Sequence, residues 1–285
     1  MVRGVEDRVI NGIVYTILFL AGLVAVFPLL YVVSVSLTPL SVVHKSGSFP
    51  IIPREITFSA YRTIWEYSGM VQAFGVTAMV TIVGTLLNMI ITILLAYPLS
   101  RKKLPGRSSF LMMILITMLF SGGMVPTYLI VKSLGLLNTY WSLILPGLVG
   151  SFNVLIVKSF FEQLPEEIFE SAKMDGAGEF RILAQMTVPL STSVIATIGL
   201  FYAVGHWNDF FQAIMYITDR SMFPLQVVVR EILMQSQQLE NFEATTPAQT
   251  LKMAAVVMAS LPVIVVYPFL QKYFTKGMLL GSIKG

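Results

Sequence analysis

Six apolar stretches dominate the chain, at about residues 11–36, 72–100, 109–131, 139–161, 190–217 and 250–271. Each reaches or exceeds the roughly 20 residues that a helix needs to cross a hydrocarbon core. Lipid offers the backbone no hydrogen-bond partner, so each segment must satisfy its own amides and carbonyls, and a helix does so. Hydrophobic residues make up 55% of the chain and charged residues 12%, whereas about a quarter of a soluble domain is charged. A water-soluble fold could not hide that much apolar surface. The sequence predicts an all-α integral membrane protein, one domain over residues 1–285 with six transmembrane helices. The first stretch exceeds the roughly 7–15 apolar residues of a secretory leader and lacks a convincing cleavage site, so it reads as a retained span.

Charge placement gives the sidedness. Of 19 Lys and Arg, twelve fall on one side of a six-span arrangement: Arg3, Arg8, Arg101, Lys102, Lys103, Arg107, Lys158, Lys173, Arg181, Lys272, Lys276 and Lys284. The other seven, Lys45, Arg54, Arg62, Lys132, Arg220, Arg230 and Lys252, sit in or beside much longer loops. The positive-inside bias then predicts that both termini are cytoplasmic. The net charge of +4 is thus a topology signal, and nucleic acid is not an expected partner. The absence of cysteine excludes disulfides and thiolate chemistry.

Between the spans, residues 37–71 carry Pro50 and Pro53 and then Ser59 to Tyr67, where aromatic and charged residues alternate as in a helix resting at the membrane interface. Ser121-Gly-Gly-Met-Val-Pro126 is a break expected to end the third span. Residues 218–249 form a second sizeable outside loop, with Pro224 and a polar run from Gln235 to Thr246. The inside loop at 162–189 is the most polar island among the spans. Pro165 suits the first turn of a helix, and Glu166 and Glu167 lie where the helix dipole favours anions. Ile168 or Phe169 shares a face with Ala172. Asp175-Gly176 breaks this helix, with Asp175 expected to cap a second one running to Pro189. Gly176, Ala177 and Gly178 then form a knuckle that a partner's backbone could approach closely. By spacing alone, an ordinary amphipathic connector and a docking surface fit equally well.

Glu170-Ser-Ala-Lys-Met-Asp-Gly-Ala177, followed twelve residues later by Pro189, resembles the EAA motif of permease subunits of bacterial ABC importers. Ser171 departs from that pattern by replacing its first alanine, a small-for-small change. Tyr97 to Lys103, Phe120 to Thr127, Phe201 to Asn208 and the tail Lys276 to Gly285 are similar to the carbohydrate branch, among the maltose-type permeases for complex oligosaccharides. The resemblance covers essentially the whole chain and implies the type I importer permease fold. It also implies a heterodimer with a related permease in the bacterial cytoplasmic membrane. Two cytoplasmic ATPase subunits that bind ATP and magnesium, and an extracytoplasmic sugar-binding protein, would complete the assembly. Carried over residue by residue, Glu170, Ser171, Ala172, Asp175, Gly176, Ala177 and Gly178 would form the coupling surface seated in an ATPase. The tail from Gly281 to Gly285 would run along the same interface.

The residues that are missing narrow the motor. There is no G-x-x-x-x-G-K-[ST] loop to cradle a nucleotide, and the spans contain a single carboxylate, Asp209. No cofactor is expected on this chain, and a metal site is not expected when His44 and His206 are its two histidines. Tyr202, His206 and Asp209, at i, i+4 and i+7 with Gly205, Asn208 and Gln212 beside them, form a polar and aromatic stripe that suits a sugar path. The same groups could instead bond to neighbouring spans. Asn88 and Asn153 read as packing or helix-break residues. A self-contained secondary sugar carrier would need paired broken helices and intramembrane charge. A membrane-embedded enzyme would need a nucleophile beside His206 and Asp209. Neither pattern is visible in the sequence.

Overall fold

A computed structural model describes residues 5–39, 55–67, 69–239 and 248–282. The expectations placed on Arg3, His44, Lys45, Pro50, Pro53, Arg54, Lys284 and the last three residues of the tail lie outside them, as does much of the polar run to Thr246. Every regular element among the described residues is helical. Among the described residues, three helices are long and apolar enough to cross a membrane: Ile10–Ser36 within α1 (Val5–Ser36), α3 (Met70–Ser100), and Gln249–Pro268 within α12 (Ala248–Ser282). Three further apolar segments are helix pairs bent at a short break, so six crossings are reached when each pair counts as one.

The bends interrupt three of the six apolar stretches, two of them beside Pro126 and Pro146, prolines that read from sequence as kinks or span ends. The 109–131 stretch is split into α4 (Arg107–Leu119) and α5 (Met124–Ser133), bent by 112°. Thirteen residues in α4 give about 20 Å of helix, short of the roughly 30 Å of a hydrocarbon core. The break at Ser121–Gly123 is the one expected from sequence, and Gly123 at φ +88° makes the corner. The 139–161 stretch is a 3₁₀ segment, Tyr140–Gly147, joined at 51° to α6 (Ser151–Phe161). The 190–217 stretch is not one helix either. Helix α9 (Thr192–Trp207) stops at Trp207, and α10 (Phe211–Tyr216) restarts after Asn208–Phe210. Broken helices are therefore present, contrary to the sequence reading, and no longer count against a secondary carrier. The single carboxylate in the apolar stretches still does.

The chain divides into two compact units. One comprises the residues up to Met70 together with Val228–Leu261. In it the Ile10–Ser36 helix shows almost all of its length, whereas Ser34, Val35 and Ser36 at its end are buried. Ser36 Oγ lies 2.6 Å from the Tyr61 hydroxyl of α2 (Ser59–Tyr67), a helix where the sequence predicts one.

The other unit comprises Val71–Val227 and the residues from Pro262 on. It holds two apolar cores. The first joins Ala96, Tyr97 and Leu99 of α3 to Val154, Val157 and Phe161 of α6, Phe169 and Ala172 of the loop, and Val194, Ile198 and Tyr202 of α9. The second joins Val76 and Val80 of α3 to Leu143, Ile144, Ala213, Ile217 and Val227. Between the two clusters along α3 lie the polar residues Asn88 and Thr92, both fully buried.

Candidate functional site

The loop folds as a helical elbow. Helix α7 (Glu166–Met174) starts one residue later than Pro165 suggested, because Pro165 itself has extended backbone at ψ 131° and forms the N-cap. Glu166 and Glu167 occupy its first turn and Lys173 its last, each matched to the helix dipole. Phe169 and Ala172 are buried, and Ile168 is half-buried. Glu170, Ser171, Met174, Asp175 and Gly176 are exposed, with Met174 at 89%. The helix closes in a Schellman motif: the Ala177 amide donates to the Ala172 carbonyl at 2.9 Å and the Gly176 amide to the Lys173 carbonyl at 3.0 Å. Gly176 supplies the left-handed residue that the motif needs, at φ +77°.

The expected role of Asp175 is corrected here. It is the C-cap of α7, and Gly178 is the N-cap of the next helix, α8 (Glu179–Leu190), with no side chain capping it. Two residues in the turn, Gly176 and Ala177, place Asp175 too early to reach the amides of α8. Within α8, Leu183–Thr187 is a π-helical bulge that the sequence reading missed. An extra residue in a helical turn leaves no periodic trace, although such bulges often mark functional segments.

The elbow is fastened by charge. Lys173 Nζ lies 2.6 Å from Glu179 Oε1, and the Tyr97 hydroxyl donates to Glu179 Oε2 at 2.6 Å. The Lys173 ammonium first, and the Tyr97 hydroxyl second, hold the Glu179 carboxyl below its ordinary pKa. The Arg101 guanidinium lies over the Phe169 ring at 3.8 Å and the Tyr97 ring at 4.6 Å from their centroids. Arg107 pairs with Glu162 and donates through Nε to the Leu99 carbonyl at 2.8 Å. The basic turn read as a topology anchor is thus also wired into the loop, with Lys102 and Lys103 left exposed.

In α9 the stripe expected to line a path points mostly into protein. Tyr202 is buried; its hydroxyl lies 2.8 Å from Thr92 Oγ1 and accepts the Gly150 amide at 3.2 Å. Asn88 Nδ2 donates to the carbonyls of Gly147 and Leu148 at 2.7 and 2.9 Å. With that nitrogen so used, Asn88 Oδ1 is an acceptor, and His206 Nε2 donates to it at 2.7 Å. The backbone groups freed at the Gly147–Gly150 break are thus met by side chains of α3 and α9, as an interruption at membrane depth requires. Of the two readings the sequence left open for Asn88, packing or helix break, the structure shows packing: α3 runs unbroken through it, and the break it bonds to belongs to another segment.

Asp209 is half-buried and accepts the Gln212 amide at 3.3 Å, while Gln212 is half-buried. Asn208 is open; its Nδ2 donates to the Val204 carbonyl at 3.0 Å. The exposed positions of this segment are Gly205 and Asn208, both in the expected stripe, together with Phe201 and Phe211. Phe201 and Phe211 were missed because phenylalanine in an apolar stretch carries no local signal of use. No group of His, Asp and Glu that could hold a metal occurs among the described residues.

Residues 104–280 match the model of the family described as the inner membrane component of binding-protein-dependent transport systems. The chain belongs to this family. It is 45% identical to the protein LplC of Bacillus subtilis, over 95% of this chain and 94% of that one. The polygalacturonan/rhamnogalacturonan transport system permease protein YtcP of Bacillus subtilis is 42% identical over 98% of this chain and all of its own. A crystal structure of a bacterial ABC transporter involved in the import of the acidic polysaccharide alginate superposes with a TM-score of 0.87 at 29% identity, covering 95% of this chain and 98% of that one. The protein is therefore an ABC importer permease subunit, a multi-pass membrane transport protein and not an enzyme. In this permease the seven loop residues named from sequence form one exposed elbow seated on Phe169 and Ala172, with Ala172 itself inside the seat and Ala177 half-buried beside it.

Proposed function

We propose that this permease forms half of the membrane pathway of an ATP-driven oligosaccharide importer of the bacterial cytoplasmic membrane, working as a single permease domain. The other half is a homologous permease subunit, and an extracytoplasmic binding protein delivers the sugar. Two cytoplasmic ATPase subunits hold ATP and magnesium and grip the elbow of Glu170, Ser171, Ala172, Asp175, Gly176, Ala177 and Gly178, which places both termini of this chain on the cytoplasmic side. One observation carries the reading: α7 offers water a short acidic ridge ending in a left-handed glycine, while its apolar face sits in the core formed by α3, α6 and α9. A surface built this way can be pushed from outside and deliver the push to the spans.

Oligosaccharide is favoured because the names of similar permeases specify galacturonan, arabinooligosaccharide and melibiose/raffinose/stachyose transport. The open, uncharged face of Phe201, Asn208 and Phe211 suits sugar, which is recognised by flat aromatic surface and amide partners. The names of YtcP and of the alginate importer make uronic-acid oligosaccharides the first class to test. The deciding experiment is purification of the complex from cells carrying Gly176→Asp or Asp175→Arg. ATPase subunits should co-purify with the unaltered chain, and the variants should insert normally yet hydrolyse ATP without importing sugar. Full import by this chain alone would instead support a secondary carrier, and normal uptake by both variants would remove the elbow from the mechanism. Loss of growth on galacturonan oligosaccharides after deletion of this chain tests the substrate class.

A further inference from the structure

The contacts around α7 close into a ring. Lys173 of α7 holds Glu179 of α8, Glu179 accepts from Tyr97 near the end of α3, and Arg101, one turn beyond Tyr97, returns to Phe169 of α7. Both bonds to Glu179 are 2.6 Å and directional; the Lys173–Glu179 pair is more than half exposed and contributes modestly, so the part-buried Tyr97–Glu179 bond is the firmer link. Arg101 Nε is buried with no hydrogen-bond partner. The guanidinium lies over the faces of Phe169 and Tyr97 and interacts with the Tyr97 hydroxyl and the Glu179 charge, while its Nε goes unsatisfied.

Beside the ring lies a cavity of about 640 Å³, with Tyr97, Arg101, Phe169, Lys173 and Glu179 in its wall. That space is what makes the ring consequential. Packed cores transmit displacement because they have nowhere to yield, whereas an elbow pushed beside an open cavity can sink into it. The ring residues line this space, and their bonds to one another restrict that freedom. A separate tie, Arg107 to Glu162 and to the Leu99 carbonyl, fastens α3 to the end of α6 without touching α7. What the ring adds is a directional polar connection between α7 and α3 beside the apolar packing of Phe169 and Ala172 against Ala96, Tyr97 and Leu99.

We infer that Tyr97, Arg101 and Glu179 are positioning residues that make α7 and the adjoining end of α3 move as one body, so that displacement of the elbow reaches α3. The inference rests on the coupling reading above and names the parts through which coupling passes.

The test uses the complete importer in proteoliposomes and reads ATP hydrolysed per sugar imported. Tyr97→Phe, Glu179→Gln and Arg101→Leu should each raise that ratio about fivefold or more, the low end of allosteric coupling energies, with normal co-purification of the ATPases. The exchange Lys173→Glu with Glu179→Lys should restore the ratio relative to Glu179→Lys alone, a rescue that a general loss of packing would not give. Because the chain has no cysteine, spin labels at Met174→Cys and Leu95→Cys, both exposed, report the α7–α3 distance directly. That distance should stay the same with and without ATP, and should broaden in Glu179→Gln. Normal ratios in the three ring variants beside an uncoupled Gly176→Asp overturn the inference and leave the docking elbow standing. A normal ratio in Gly176→Asp overturns the coupling reading itself. Should a ring variant fail to assemble, a label distance that changes on ATP binding in the otherwise unaltered chain refutes the ring.

Discussion

Gly176 and Gly178 are two residues apart and do different things. Gly176 has φ +77° and completes the Schellman turn, whereas Gly178 has φ −74°, which any residue can adopt. A methyl group meets nothing within 4 Å at either position, so the difference is purely one of backbone. Gly176→Ala should destabilise the turn by about 1 kcal/mol, seen as roughly fivefold faster amide exchange at Gly176 and Ala177. Gly178→Ala should leave those amides unchanged, and equal effects would refute the assignment. Glu179 gives the pH dependence. Its folded pKa is depressed by Lys173 and Tyr97, so its contribution is fully present above the ordinary carboxylate range and is lost as pH falls through the lowered folded value. A spin label at Met174 should therefore keep its mobility near neutrality and gain mobility in acid, and Glu179→Gln should abolish that acid step. At this scale the sequence was read well for Gly176, whose role is local. It was read wrongly for Asp175, because one residue of turn length decides which helix a cap serves.

Among the elements, the interrupted fourth span is held by side chains distant in sequence. Asn88 is 59 positions from Gly147, and Tyr202 is 52 from Gly150. Pro146, Gly147 and Gly150 mark a kink within residues 139–161, but the distant side chains that satisfy the freed backbone groups became visible only once the neighbours were placed. Glycines let the side chains in. A Cβ on Gly84 would sit 2.5 Å from His206 Nε2, and one on Gly150 would sit 2.5 Å from the Tyr202 hydroxyl. Asn88→Leu should leave two carbonyls unpaired and cost about 1–3 kcal/mol, read as a lower unfolding temperature in detergent. Gly84→Ala should produce a similar loss by displacing the His206 ring. If both variants unfold at the original temperature, the break is held by something other than this network. The kinked apolar stretches also explain why length alone described the spans imperfectly: a hydrophobic run records burial in lipid, not straightness.

Across the whole molecule, what the sequence conveyed was whatever depends on composition and local spacing: an all-helical membrane chain, its apolar segments and the polar elbow. What it did not convey was the orientation of α9, because a stripe at i, i+4 and i+7 is equally regular whether it faces a core or a passage. Tyr202 and His206 bond to α3 and the break, while Gly205 and Asn208 of the same stripe stay exposed beside Phe201 and Phe211. The two faces make opposite predictions. Replacing Asn208 and Phe211 by alanine removes amide and aromatic surface from the open side without unpairing any buried backbone group, so the importer should assemble with an unchanged unfolding temperature. Sugar uptake should nevertheless weaken, with the loss expressed in transport rate at saturating binding protein. Replacing Tyr202 by phenylalanine keeps the ring but leaves the Gly150 amide without its acceptor, so the unfolding temperature should fall together with transport. Uptake that tracks Tyr202 alone, with Asn208→Ala and Phe211→Ala transporting normally, would mean that the passage follows the buried stripe and that α9 turns when the importer opens.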